Sequence, residues 1–214
     1  DTLGVHDVFG VPPAFIARQM EVVLADIGAD AIKTGMLHTA AVIGTVAGVL
    51  ERGAPDVPLV MDPVMFAKGG ARLLDPAAEQ TLRERLLPRA TLITPNVPEA
   101  EVLLGRTIDT PEALEPAARA LLELGPSGVL LKGGWLTGAV VTDVLATAVG
   151  VSRYDSPRLA TRNVHGTGCT LASAVAAGLA RGLALEAAVV RARAFVRAAI
   201  RTAPGLGAGH GPLN

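Results

Sequence analysis

Apolar positions recur at helical spacing over 14–27, where Phe15, Ile16, Met20, Val23, Leu24 and Ile27 make one stripe. Pro12 and Pro13 introduce the stripe and Gly28 stops it, so the spacing predicts a helix. Ala31-Ile32-Lys33 reads as a short buried strand that ends at Gly35-Met36-Leu37. A second helix is predicted over 39–52, closed by Gly53 and Pro55, and a second buried strand over 58–62, closed by Pro63. Asp75-Pro76 supplies a cap and a first-turn proline for a helix reaching about residue 87, and 91–94 is a strand ended by Pro95. Thr110-Pro111 caps a helix through 124, and 129–132 is a fourth strand punctuated by Gly133-Gly134. This alternation predicts repeated right-handed crossovers and a mostly parallel sheet. The pattern changes after residue 137: the β-prone pieces 139–145 and 148–154 predict a hairpin at one edge of the sheet. Helices over 167–181 and 185–202 and a glycine-rich tail over 205–211 complete the chain. No repeat or low-complexity linker divides it, so 1–214 reads as one α/β domain.

Composition sharpens this picture. Half of the 214 residues are hydrophobic but only 3% are aromatic, so the core must be built from Ala, Val, Leu and Ile, as suits a parallel sheet buried under helices. A net charge of -1 without basic runs argues against nucleic acid as a partner. One cysteine forms no internal disulfide and four scattered histidines show no zinc spacing, so a reducing cytoplasm is the expected compartment. No apolar run approaches the roughly eighteen residues of a membrane span, and Asp1-Thr2-Leu3-Gly4 does not open a signal peptide.

The candidate chemistry begins at His165-Gly166-Thr167-Gly168-Cys169-Thr170, where a loop turns into a helix. A helix start offers free N–H groups and a partial positive charge, which suit a transferring phosphoryl group, and glycines let the backbone close around it. At that end the Cys169 pKa is expected to fall, and the sulfur could accept or share a proton. Such glycines also serve as packing punctuation, and a lone cysteine among alanines is often a small buried residue. The rest of the chain favours chemistry. Ligands bind outside the carboxyl ends of parallel strands, and Lys33 and Met36, then Asp62, then Thr94, Asn96 and Glu99, then Lys132 follow successive strands there.

The strings Asp30-Ala31-Ile32-Lys33-Thr34-Gly35-Met36-Leu37, Val60-Met61-Asp62-Pro63-Val64-Met65, Ile93-Thr94-Pro95-Asn96-Val97-Pro98-Glu99-Ala100-Glu101 and Leu131-Lys132-Gly133-Gly134 resemble the hydroxymethylpyrimidine/phosphomethylpyrimidine kinases of the ribokinase superfamily. The cysteine turn and the closing Gly209-His210-Gly211-Pro212-Leu213-Asn214 fit the same family, in the same order along the chain. The resemblance implies a ribokinase-like three-layer α/β/α fold with a mostly parallel sheet and an antiparallel edge. It implies ATP- and Mg2+-dependent phosphorylation of 4-amino-5-hydroxymethyl-2-methylpyrimidine and then of its monophosphate, in thiamin biosynthesis. Gly166, Thr167, Gly168 and Cys169 would form the anion hole, with Cys169 where most ribokinase relatives carry an aspartate base. Asn96 and Glu99 would organise magnesium near the nucleotide, with Asp62 facing the metal; Lys132, Thr94 and Thr161 would contact the nucleotide. Met36 and Val64, beside Cys169, would wall the pyrimidine. Phe66-Ala67-Lys68-Gly69-Gly70 is similar to the family's flap, with glycines suited to a lid. The family's N-terminal strand, Gly-Ser-Asp segment and pyrimidine-binding glutamine would precede Asp1, so the domain is expected to be incomplete at that end, and a homodimer is expected. Pyridoxal kinase and hydroxyethylthiazole kinase are the alternatives within the superfamily. A non-catalytic pyrimidine-binding domain is a second class of reading, and a nicotinamide dehydrogenase, which needs a Gly-x-Gly-x-x-Gly turn after its first strand, is a third.

Overall fold

The buried apolar runs pair side by side in the order in which they occur. In the computed structural model, which describes residues 1–67 and 69–214, they form one six-stranded sheet. β1 (Ile32–Thr34), β2 (Leu59–Met61), β3 (Leu92–Ile93) and β4 (Gly128–Lys132) are parallel, and β5 (Val140–Thr147) and β6 (Gly150–Pro157) continue the sheet antiparallel. Seven helices are described: α1 (Pro13–Asp26), α2 (Ala40–Gly53), α3 (Glu79–Arg85), α4 (Val97–Leu104), α5 (Leu114–Leu122), α6 (Thr167–Ala180) and α7 (Leu185–Arg201).

Strand alternation sorts the core into two layers. On one face Met61, Ile93 and Leu131 pack with Ile43, Leu50, Leu82, Leu103 and Leu121 from α2 to α5. On the other, Val60, Leu92 and Leu130 pack with Leu171 and Val175 of α6 and Val189 and Ala192 of α7. The crossovers therefore cover one face, and the helices that follow the hairpin cover the other. This is the expected three-layer arrangement with an antiparallel edge.

Several details differ from the expectation. α4 was not anticipated, although Asn96 caps it, Pro98 lies in its first turn and Glu99 closes a capping box. The helix expected from Asp75 to residue 87 begins as a 3₁₀ turn, Pro76–Ala78, and after the seven-residue α3 gives way to another, Leu87–Arg89, where Pro88 cannot continue an α-helical ladder. The hairpin lies slightly further along than expected, since Thr147 pairs with Gly150 and leaves Ala148 and Val149 as the turn. α1 buries no residue fully: Ile16, Met20 and Leu24 pack against the first layer, while Phe15, Val23 and Ile27 of the same stripe are exposed. Among the described residues no helix is long and apolar enough to cross a membrane. The tail returns to the site's entry loop, where His165 N–H donates to the Gly211 carbonyl and Gly209 N–H donates to Thr2 Oγ1.

Candidate active site

Four adjacent strands present one polar row on the α6 side of the sheet. Ala31, Val60, Leu92 and Leu130 face that layer, so Lys33, Asp62, Thr94 and Lys132, each two residues further on, face it as well. Lys132 Nζ donates to Asp62 Oδ1 at 3.0 Å, and the buried Thr94 hydroxyl donates to the same oxygen at 3.0 Å. The ammonium and the carboxylate are 13% and 3% exposed, so their attraction is only weakly screened. Burial alone would lower the Lys132 pKa, but the Asp62 and Glu99 carboxylates outweigh it and hold the pKa above the ordinary value.

The α6 start closes over this row. Gly166 has φ 86°, a left-handed conformation that turns the chain into the helix at little cost for glycine. A Cβ on Gly168 would lie 3.0 Å from Lys132 Nζ and 3.7 Å from Asp62 Oδ2, so that glycine permits close approach of the helix start to the ion pair. Thr167 and Thr170 N–H groups donate to the carbonyls of Val164 and Gly166, which leaves those of Gly168 and Cys169 without a partner among the described residues and open to a ligand. The exposed Cys169 departs from expectation in its acidity. Its pKa is raised, first by the protein around the sulfur and then by the Asp62 carboxylate, against the smaller opposing pull of Lys33 and Lys132.

Asn96 and Glu99 share a different local task. Asn96 Oδ1 accepts from Glu99 N–H at 3.0 Å, and Glu99 Oε2 accepts from Asn96 N–H at 2.8 Å. The other Glu99 oxygen accepts from Met65 N–H. Burial raises the Glu99 pKa to about 7, against the lowering influence of Lys132 and the Asn96 N–H.

Asp62, Asn96, Glu99 and Lys132 line one cavity of ≈ 480 Å³ with Met36, Val64, Gly166, Thr167, Gly168 and Cys169, and Lys33 stands outside its wall. Among the described residues, no three His, Cys, Asp or Glu side chains gather as a metal cage. Two expected contacts stand apart from the cavity wall. Thr94 lies wholly beneath Asp62, which it orients, and Thr161 Oγ1 accepts from Asn163 N–H in the loop before the cysteine turn. Of the expected flap, Phe66 and Ala67 line the cavity, while Lys68 lies outside the described residues.

The whole chain, residues 1–214, matches the family model for phosphomethylpyrimidine kinase. The chain belongs to that family. It is 49% identical over 214 residues to the thiamine biosynthesis bifunctional protein ThiED of Geobacter sulfurreducens, covering 100% of this chain and 44% of that protein. It is 43% identical over 215 residues to the hydroxymethylpyrimidine/phosphomethylpyrimidine kinase of Mycobacterium bovis, covering 100% of this chain and 78% of the relative. The chain thus spans less than half the length of the bifunctional relative. Among solved structures, the pyridoxal kinase from Staphylococcus aureus in complex with AMP-PCP and pyridoxal superposes with a TM-score of 0.89 at 33% identity, over 98% of this chain and 76% of that one. These neighbours bear out the ribokinase-like fold.

Among the cavity residues that the sequence reading of this kinase family member missed are Asp143 on β5 and Arg193 on α7. Their side chains form an ion pair at 2.8 Å with each 13% exposed. An acid within the mostly buried run of β5 was the available signal for Asp143. Arg193 stands four residues after Val189 and three before Val196, beside the apolar side of α7, and that spacing was the available signal for it.

Proposed function

We propose that this chain transfers the terminal phosphoryl group of ATP to the hydroxymethyl group of 4-amino-5-hydroxymethyl-2-methylpyrimidine, and then a second to the resulting monophosphate. The approach of Gly168 to the Lys132–Asp62 pair carries this reading, because it sets two free backbone N–H groups and a buried cation around one point. Phosphoryl transfer is catalysed mainly by positioning and by neutralising charge on the transferred group, and those donors supply both.

In the reaction the hydroxymethyl oxygen forms a bond to the γ-phosphorus as the bond from that phosphorus to the β,γ-bridging oxygen breaks, releasing ADP. Gly168 and Cys169 N–H groups hold the equatorial oxygens, and Lys132 balances their charge. Cys169 takes the hydroxymethyl proton. Its raised pKa makes the thiolate scarce but strongly basic, and a loose transition state sheds that proton late. Asp62 and Glu99 present buried oxygen donors to the same cavity, a set that suits magnesium retaining water and phosphate ligands more than one caged by protein. When bound, the ion would neutralise charge on the nucleotide. Asn96 acts through the helix cap that fixes Glu99. Met36 and Val64 wall the pyrimidine, and a cytoplasmic homodimer is part of the same reading.

Turnover of the pyrimidine alcohol, pyridoxal and hydroxyethylthiazole with ATP and magnesium tests this directly. Fastest transfer to the pyrimidine alcohol, followed by formation of the diphosphate, is expected. Faster transfer to pyridoxal, as the likeness to a pyridoxal kinase would suggest, or no transfer at all, overturns it.

A further inference from the structure

Asp143 stands directly opposite Lys132 in the antiparallel register between β4 and β5. Residues so paired point to the same face with Cβ atoms roughly 5 Å apart, and the neighbouring pair Leu130 with Leu145 indeed lies in the α6–α7 layer. Lys132 therefore has two aspartates within reach of its long stem, Asp62 two strands away and Asp143 beside it. It pairs with Asp62. Arg193 explains why.

Both Asp143 oxygens are occupied. Oδ2 accepts from Arg193 Nε at 2.8 Å, and Oδ1 accepts from the N–H of Gly133, which follows Lys132, at 3.2 Å. Arg193 is itself fixed, since Nη2 donates to the Tyr154 carbonyl at 3.0 Å and to Ser156 Oγ at 3.3 Å, and the guanidinium lies 5.0 Å from the centre of the Tyr154 ring. An asparagine at 143 would hold the Gly133 N–H equally well. The charge of Asp143 is thus needed only for the arginine, and without the arginine it would be a buried carboxylate beside the lysine of the phosphate site.

We propose that Arg193 is a positioning residue: by occupying Asp143 it keeps that carboxylate off Lys132, so that the lysine stays aimed at Asp62 and at a nucleotide's phosphates. The inference rests on the phosphoryl-transfer reading above. It predicts an unusual pattern of rescue, in which removing a second charge restores what removing the first destroyed.

Four variants, R193M, R193K, D143N and the double variant R193M/D143N, test it by steady-state kinetics and by calorimetric titration with ADP and magnesium. R193M is expected to lose kcat/KM on the order of a hundredfold, the scale for a small misplacement of a positioning group. The loss should include a raised KM for ATP and a weakened ADP affinity, with the KM for the pyrimidine unchanged. R193K, which keeps the charge but not the fork to Tyr154 and Ser156, should stay close to wild type, and D143N should lose only a few-fold. The double variant should return to the level of D143N. A merely structural arginine would instead lower kcat through a smaller active fraction, and R193K would fall as far as R193M. That outcome, or a double variant no better than R193M, overturns the proposal. If R193M does not fold, R193K close to wild type together with a double variant at the level of D143N upholds the proposal, and a shortfall of about tenfold or more of either from those levels overturns it. Should wild type phosphorylate none of the alcohols, the functional reading fails, while the order of ADP affinities still tests the arginine.

Discussion

The two ion pairs on the α6–α7 face have similar burial but opposite degrees of satisfaction. In the pair between Arg193 and Asp143, both carboxylate oxygens and three guanidinium contacts are taken up by the protein itself. The pair between Lys132 and Asp62 joins strands separated by β3, and a single carboxylate oxygen takes both the lysine and Thr94. The other oxygen and the remaining ammonium protons face the cavity and the α6 start. A buried polar network whose capacity is filled specifies structure, whereas one left partly unfilled retains affinity for a ligand. The first pair is scaffold for the second.

Breaking the second pair should have the largest effect. Lys132→Met leaves Asp62 buried without its counter-charge and removes a donor to the phosphates, so kcat/KM should fall on the order of a thousandfold and the protein should lose about 3–5 kcal/mol of stability in urea titrations. Adding Asp62→Leu should recover the stability but not the activity, and recovery of both would erase the distinction between the pairs. Cys169→Ala leaves both pairs intact and removes only the proton acceptor. The chemical step should slow by about 10²–10⁴-fold in single-turnover measurements while ATP affinity changes much less. Cys169→Asp, which restores an acceptor, should recover part of the rate, and wild-type turnover in the alanine variant would remove the sulfur from the mechanism.

A smaller effect concerns the third acid near Lys132. The Glu99 pKa rises from 4.5 to about 7 on folding, so between those values the folded state binds a proton that the unfolded state releases. Stability of the protein in chelator should therefore decline as pH rises through that window, by up to about 3 kcal/mol. Glu99→Gln should flatten the slope. An unchanged slope in urea midpoints measured from pH 4.5 to 7 would mean that the carboxylate is solvated.

The sequence made the strand rhythm and the rim legible because both depend on local signals: apolar runs stopped by proline or glycine, and polar residues just beyond them. It concealed α4 for a physical reason, since Asn96, Pro98 and Glu99 serve at once as a helix start and as a motif near the phosphates. The stripe on α1 showed a helix but not how little of it the sheet would cover, which depends on α2 alone among its main neighbours. The acidity of Cys169 was misjudged because the helix end is a local feature, while Asp62 arrives from a strand more than a hundred residues earlier. The role of Arg193 was hidden for the same reason. Its meaning comes from the register of β4 on β5, which places Asp143 beside Lys132.

The sheet is laid down in sequence order, and every crossover between its parallel strands covers the face away from the chemistry. During synthesis, the cations and carboxylates of the rim thus emerge while the sulfur, its helix and Arg193 are still unmade, so Asp143 is free to compete for Lys132 until α7 arrives. A ribosome-bound chain halted before residue 165 would carry the lysine and the two aspartates without the helix start that closes over them or the arginine that decides which of them pair.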